Sequence, residues 1–185
     1  MIISRTPFRI SLLGGGSDLR QYYSVRPGSV VAMAINRYMY VTVNKRFDNT
    51  IRVSYTKTEI VGRVDDLEHD LIREAMRMVG VSGGIEVTTI ADLPAGIGLA
   101  SSSTVTVGVL NALYAYQGQH VSAEELARQA CEIEVDVLGK PIGKQDQYIA
   151  AYGGFQHVRF NPDESVEVNP IICSRDATEQ VMSRL

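Results

Sequence analysis

The segment Pro94-Ala95-Gly96-Ile97-Gly98-Leu99-Ala100-Ser101-Ser102-Ser103-Thr104 constrains this chain more than any other stretch. It stands between a strand-like run, Gly84 to Leu93, and a long apolar helical pattern, Val105 to Tyr116. Glycine lets a backbone approach an anion closely. The first turn of a helix leaves N–H groups unpaired at the positive end of the helix dipole. Ser101, Ser102 and Ser103 can cap those N–H groups, hydrogen-bond phosphate oxygens or ligate a metal. The segment therefore reads either as a capped helix start or as a phosphate loop. No Gly-Lys-Ser/Thr follows, so it is not a Walker loop. A phosphate held here would depend on backbone N–H groups, hydroxyls and a cation from elsewhere.

At 185 residues the chain fits one large domain, or one domain and part of another. Hydrophobic residues at 45% are enough for a sizeable core, and charged residues at 21% argue against disorder. A net charge of −3 gives no basic footprint for nucleic acid. Cys131 and Cys173 have neither metal nor redox spacing, which suits a reducing compartment. Arg5 and Arg9 interrupt the first apolar run, so neither a signal peptide nor a membrane helix is expected, and a cytoplasmic location follows.

Residues 2–13 read as a strand ending at Gly14-Gly15-Gly16. Arg37 to Lys45 and Thr50 to Thr56 are β-rich and suggest a hairpin through Asp48-Asn49. Asp65 and Asp66 open a helical pattern with Leu67, Leu71, Ala75 and Met78 on one side, stopped by Gly80. Ser122 to Glu125 form a capping box for a helix expected to end at Gly139. Tyr152 to Phe160 and Val166 to Ile172 read as late strands, and Ser174 to Leu185 as the onset of a helix. Many strands, mostly antiparallel, with interspersed helices point to an α+β or mixed α/β domain.

Two further constellations carry chemistry. In Pro7 to Asp18, a strand feeds three glycines, bringing backbone close to a partner, and Asp18 could accept from hydroxyl groups while Arg9 points the same way. The same residues also fit a tight turn with Asp18 as a helix N-cap. On the helix after Ser122, Glu134 falls within the apolar stripe of Leu126, Ala127, Ala130, Ile133, Val137 and Leu138. A carboxylate there needs a metal or a buried cation as partner. Asp146 follows Gly139-Lys140-Pro141-Ile142-Gly143, an ordered connection that suits a catalytic carboxylate or an ordinary cap. His69, His120 and His157 are scattered without ligand spacing, and the tyrosines read as packing residues.

Taken together, Pro7 to Asp18, Pro94 to Thr104 and Gly143-Lys144-Gln145-Asp146-Gln147-Tyr148 resemble, in type and order, the motifs of the GHMP kinase superfamily. The Gly-Gly-Gly-Ser-Asp variant, Glu68 to Ala75, and Gly153-Gly154-Phe155 after the third motif look most like its D-glycero-D-manno-heptose 7-phosphate kinase branch. The resemblance implies a ribosomal-protein-S5-type α+β domain with a left-handed βαβ unit. A ferredoxin-like C-terminal domain would follow it. On this reading, residues 1–173 form the ATP-binding domain and residues 174–185 begin the C-terminal domain, whose glycine-rich motif has no counterpart here.

The resemblance also implies roles. ATP phosphates would lie along Pro94, Gly96, Ile97, Gly98, Leu99, Ala100, Ser101, Ser102 and Ser103, with Mg²⁺ on Ser102 and Glu134. Asp146 would take or orient the proton of the attacking hydroxyl, and Arg9 would sit by the transferred phosphate. Gly14, Gly15, Gly16, Ser17, Asp18 and Lys144 would contact the sugar, with Lys140, Lys144 and Arg20 as cations for a sugar phosphate. Ala100 departs from the commonest family glycine. The implied reaction is phosphorylation of a heptose 7-phosphate at C1. Alternatives are a galactose- or fucose-type kinase, or a non-catalytic nucleotide- or sugar-binding fragment. The implied partners are a sugar phosphate and either a second copy of the chain or a complementing C-terminal chain, with neither nucleic acid nor membrane.

Overall fold

Ser4, Thr6 and Phe8 point into the molecule while Ile3 and Arg5 face solvent, the period-two alternation of a strand with one buried face. That strand is β1, Ile2–Leu13, in the computed structural model, which describes residues 1–94, 96–174 and 180. β1 pairs antiparallel with β2, Gly28–Lys45, the spine of the sheet. β2 also pairs with β5, Ile85–Ala91, along Met39–Lys45, and with β6, Phe155–Phe160, along Gly28–Met33. β3 (Ile51–Ser54), β4 (Thr58–Val61) and β7 (Val166–Pro170) complete a seven-stranded sheet, with neighbours in the order β4-β3-β5-β2-β6-β7 and β1 against β2. Among the described residues only β3 and β5 pair in parallel. They are joined through β4, a 3₁₀ turn at Val64–Asp66 and helix α2, Asp70–Val79, which makes the βαβ unit of an α+β domain.

The remaining helices are α1 (Arg20–Tyr23), α3 (Ser101–Tyr116), α4 (Ala123–Cys131) and α5 (Gln145–Tyr152). The main core gathers Phe8, Val41, Val43, Ile72, Met76, Leu110, Leu113 and Ile133 between α2, α3 and the sheet. A second cluster of Tyr23, Val30, Ala127, Tyr148, Ile149 and Phe160 seats α4 and α5 against β2 and β6. Each such side chain, fully buried, contributes on the order of 1.5–3 kcal/mol. α3 crosses the sheet at Gly108, where a Cβ would stand 3.0 Å from Thr6 Oγ1 and 3.1 Å from Val41 Cγ2. Ser4 Oγ donates to Gly108 O at 2.8 Å at the same crossing. This close approach seats the middle of α3 on the N-terminal half of β1.

Besides α1, β4 and residues 28–36 of β2, which the sequence reading did not mark, four features differ from it. Asp48 does form the expected turn, accepting from Thr50 N at 3.1 Å, but β2 and β3 are not a hairpin: β5 lies between them. α2 begins at Asp70 rather than at Asp65. The buried Glu59 carboxylate takes the N–H groups of Glu68 and His69 at 2.6 and 3.2 Å, so those amides are held outside the helix and His69 becomes the N-cap. The helix opened by Ser122 changes after Cys131 to a π-helical segment, Glu132–Val137. Finally, Gln145–Tyr152 is a helix rather than a connection. The helix onset read at residues 174–185 lies outside the described residues apart from Ser174 and Gln180.

Candidate active site

Three segments far apart in sequence meet at Arg9. This residue sits in β1 where the register against β2 shifts, between Pro7 and Arg9, and only 9% of it is exposed. Its Nε and Nη2 donate to Asp146 Oδ1 at 2.7 and 2.6 Å, and Nη1 donates to the Gly98 carbonyl at 3.0 Å. β1, the loop before α3 and the first turn of α5 are thus tied to one guanidinium. Burial pushes the Asp146 carboxyl above its ordinary value. The positive charge and hydrogen bonds of Arg9 pull it partly back, and nearby Asp18 adds to the rise. A carboxyl with raised proton affinity beside a fixed cation is suited to taking a proton from a hydroxyl.

The loop before α3 has positive φ at alternate positions: Gly96 at 82°, Gly98 at 79° and Ala100 at 68°. Ala100 is the N-cap and supplies no side-chain cap. Of the roles open to Ser101, Ser102 and Ser103, capping the helix start is therefore not the arrangement seen. Instead, the hydroxyl of Ser102 donates to Glu134 Oε1, and Thr104 and Thr106 bond back to Ala100 O and Ser102 O at 2.8 and 3.0 Å. The N-terminal end of α3 thus keeps its dipole directed at the loop.

Glu134 is 0% exposed and lies in the π-helical segment, where the Leu138 N–H reaches back to Ile133 O at 3.0 Å. Its Oε2 accepts from Gln147 Nε2 at 2.7 Å. Burial raises its proton affinity, and hydrogen bonds from Ser102, Ser103 and Gln147 oppose that rise. Among the described residues there is no cluster of three or more His, Cys, Asp or Glu side chains that could hold a metal. Ser102 and Glu134 are nonetheless hard oxygen donors of the kind Mg²⁺ accepts alongside water and phosphate oxygens. The buried Gln147 Oε1 has no hydrogen-bond partner, so this site carries an unmet acceptor beside its carboxylate.

The Gly14–Asp18 turn is closed on itself. Gly14 has φ 82° and Gly16 φ 90°, and a Cβ on Gly14 would collide with the Ser29 carbonyl. Gly15 lies beside Ser11 and Gln145. Ser17 Oγ sits 2.7 Å from Gly14 O and accepts from Ser29 N at 2.9 Å. Asp18, 2% exposed, accepts from Gly16 N at 3.0 Å on Oδ1 and from Gln145 N at 3.1 Å on Oδ2. It thereby joins this turn to the start of α5. Lys144 points elsewhere: its Nζ pairs with Glu164 and lies 4.7 Å from the Tyr23 ring centre. Arg20 is likewise held, by Asp136 at 2.9 Å and Glu164 at 3.2 Å, while Lys140 faces Asp70 at 3.7 Å.

Sequence reasoning did not find a cavity of about 380 Å³ beside the phosphate-loop segment. Met39, Tyr55, His69, Leu93, Pro94 and Val105 line it, drawn from β2, β5, α2, α3 and their connections. His69 accepts from Ile72 N at 3.4 Å on Nδ1, and its ring meets Tyr55 edge-on at 4.7 Å. No periodic pattern links residues so scattered. The one available signal was an apolar strand end meeting the Gly/Ser loop.

Known proteins resemble this chain over most of its length. The chain is 33% identical to the D-glycero-alpha-D-manno-heptose 7-phosphate kinase of Campylobacter jejuni, over 92% of this chain and 54% of that protein. It is 28% identical to the galactokinase of Thermotoga maritima, covering 84% of this chain and 45% of that protein. The crystal structure of a D-glycero-D-manno-heptose 1-phosphate kinase from B. thetaiotaomicron superposes with a TM-score of 0.90 at 32% identity. That superposition covers 97% of this chain and 62% of the other. The chain thus spans about half the length of the curated relatives it matches. Residues 67–154, which hold the Gly/Ser loop, Glu134 and Asp146, match the family of GHMP kinases N terminal domains. Over those residues the chain is similar to the N-terminal domain of GHMP kinases.

Proposed function

We propose that this domain serves ATP-dependent phosphorylation of a sugar hydroxyl, at C1 of D-glycero-D-manno-heptose 7-phosphate. The observation that carries the reading is the convergence of Arg9, Asp146 and the Gly98 carbonyl within hydrogen-bonding distance, from three separate segments. Of the three relatives, all are sugar kinases and two are named for a heptose phosphate.

Phosphoryl transfer asks for positioning and charge neutralisation more than for covalent chemistry. The loop N–H groups and the α3 dipole would hold the phosphates. Asp146 would accept the proton as the sugar oxygen bonds to the γ-phosphorus, while the bond from that phosphorus to the β-phosphate oxygen breaks and ADP leaves. Arg9 would stabilise charge on the group in transit and keep Asp146 in place. Mg²⁺ held by Ser102 and Glu134 would neutralise phosphate charge when bound.

Replacing Asp146 with Asn in the intact protein should lower kcat by about 10²–10⁴-fold, the usual worth of a positioned base, with ATP affinity unchanged. ADP release measured with heptose 7-phosphate checks this, and full activity in Asp146→Asn sinks the assignment. A second reading has one observation in its favour. Arg20 and Lys144, the cations expected to receive a sugar phosphate, are both paired with Glu164. A neutral hexose would leave those pairs intact. ADP release with galactose exceeding that with heptose 7-phosphate would decide for it.

A further inference from the structure

Asp146 and Gln147 are successive residues in the first turn of α5, yet they serve different partners. Asp146 faces Arg9, whereas Gln147, itself 0% exposed, places Nε2 2.7 Å from Glu134 Oε2. The Ser102 hydroxyl occupies the other oxygen of Glu134. The carboxylate is thus held at both ends by neutral donors, and its plane is fixed by two side chains from two different helices.

Gln147 is left incomplete by this arrangement. Its Oε1 is buried and has no hydrogen-bond partner, although buried acceptors are normally satisfied. Turning the amide over would not help, since it would set an oxygen against the Glu134 carboxylate. The unmet atom is an acceptor, next to a pair of hard oxygen ligands, on the side chain that orients one of them. A cation held by such ligands keeps several waters, and each is a strong donor. Partners beyond the ligands themselves commonly fix both ligand orientation and affinity.

We propose that Gln147 is the positioning residue of the cation site, holding Glu134 through Nε2 and receiving a water of the cation's shell at Oε1. The inference rests on the reading of Ser102 and Glu134 as cation ligands. It places the residue that orients Glu134 and the proposed proton acceptor, Asp146, side by side on the first turn of α5.

Manganese is the probe. Mn²⁺ binding in the presence of ATP, followed by electron paramagnetic resonance, should weaken about ten- to a hundredfold in Gln147→Met, which keeps the volume and removes both polar atoms. ATP binding without metal should not change. In unaltered protein, substoichiometric Mn²⁺ should broaden the Gln147 side-chain amide signals in ¹⁵N–¹H spectra, ahead of those of Gln145. This second measurement stands even if Gln147→Met folds poorly. Unchanged Mn²⁺ affinity in Gln147→Met, with weakened affinity in Ser102→Ala, overturns the Gln147 proposal and leaves the cation site. Unchanged affinity in both Ser102→Ala and Glu134→Gln overturns the cation site itself, and the proposal with it. A Gln147 amide signal that survives when the Ser102 amide is broadened also overturns the proposal.

Discussion

The two glycine turns of this domain look alike in sequence, yet the first glycine of one is packed against backbone and the first glycine of the other faces open space. In Gly14–Asp18 the glycine is there for the protein itself: a Cβ on Gly14 meets the Ser29 carbonyl, and Ser17 and Asp18 spend their side chains on backbone groups of the same region. In Gly96–Ser103 a Cβ on Gly96 or Gly98 meets nothing within 4 Å, and both residues have positive φ. There the glycine sets a backbone path around open space. On the proposed function, the first turn would support the site from behind and the second would offer its surface to the phosphates.

Substitutions break or sharpen this contrast, beginning with the largest effect. Gly14→Ala combines left-handed strain of about 1–2 kcal/mol with overpacking of about 1–3 kcal/mol. A loss of about 3 kcal/mol lowers the thermal midpoint by roughly 6–12 °C in a domain of this size. A melting curve that does not move would show that the turn is not closed.

Arg9 spans the contrast, because it is bonded to the open loop at Gly98 and to Asp146 beside the closed turn. In Arg9→Leu the influence that lowers Asp146 is lost, and burial raises its proton affinity further. In the proposed mechanism the carboxylate must be ionised, so the acidic limb of the kcat profile should move to higher pH. The sign for folding is separate. With the folded value above the unfolded one, the protonated carboxyl favours the fold at low pH, and that contribution is lost as pH rises through the folded value. An acidic limb unmoved by Arg9→Leu would separate Arg9 from Asp146.

Gly98→Ala should affect stability less and binding more. It carries only the left-handed strain of about 1–2 kcal/mol, but its methyl enters the space around the loop. A loss of about 1.4 kcal/mol in ATP binding is a tenfold rise in Kd, readable by calorimetry. If Gly98→Ala melts as early as Gly14→Ala while binding is unchanged, the two turns are not of different kinds. The smallest effect belongs to Ala100→Gly. Ala100 already has φ 68°, so glycine relieves about 1–2 kcal/mol of strain against about 0.5–1 kcal/mol of added chain entropy. The net gain, about 0.75 kcal/mol at the centre of those ranges, should raise the midpoint by roughly 1.5–3 °C.

Much of this site was legible because its signals are local. The glycine run after β1 and the Gly/Ser loop before α3 are punctuation that any strand or helix needs, and Glu134 declared itself as a charge on an apolar stripe. What stayed hidden depends on partners remote in sequence. Asp48 specified a turn correctly, but no residue near it could announce that β5 would come between β2 and β3. α5 was unreadable because Gln147, Tyr148, Ile149 and Ala150 are all buried, which erases the one-sided pattern that marks a helix. The use of Asp18 arises only when α5 brings Gln145 to it, and the pairing of Lys144 with Glu164 only when β6 and β7 are assembled.

The π-helical segment gives residues 132–137 a genetic character unlike that of the helix before it. An i→i+5 turn holds one residue more than the α-helical turn it replaces. Loss of a single codon there, with the reading frame kept, would change the helical phase of the segment from π to α and remove the widened turn that places Glu134 against Ser102. Point changes at the exposed Asp136 leave that phase untouched. The stretch should therefore accept substitutions on its outer side while rejecting changes of length, so that its count of residues is inherited more strictly than their identity.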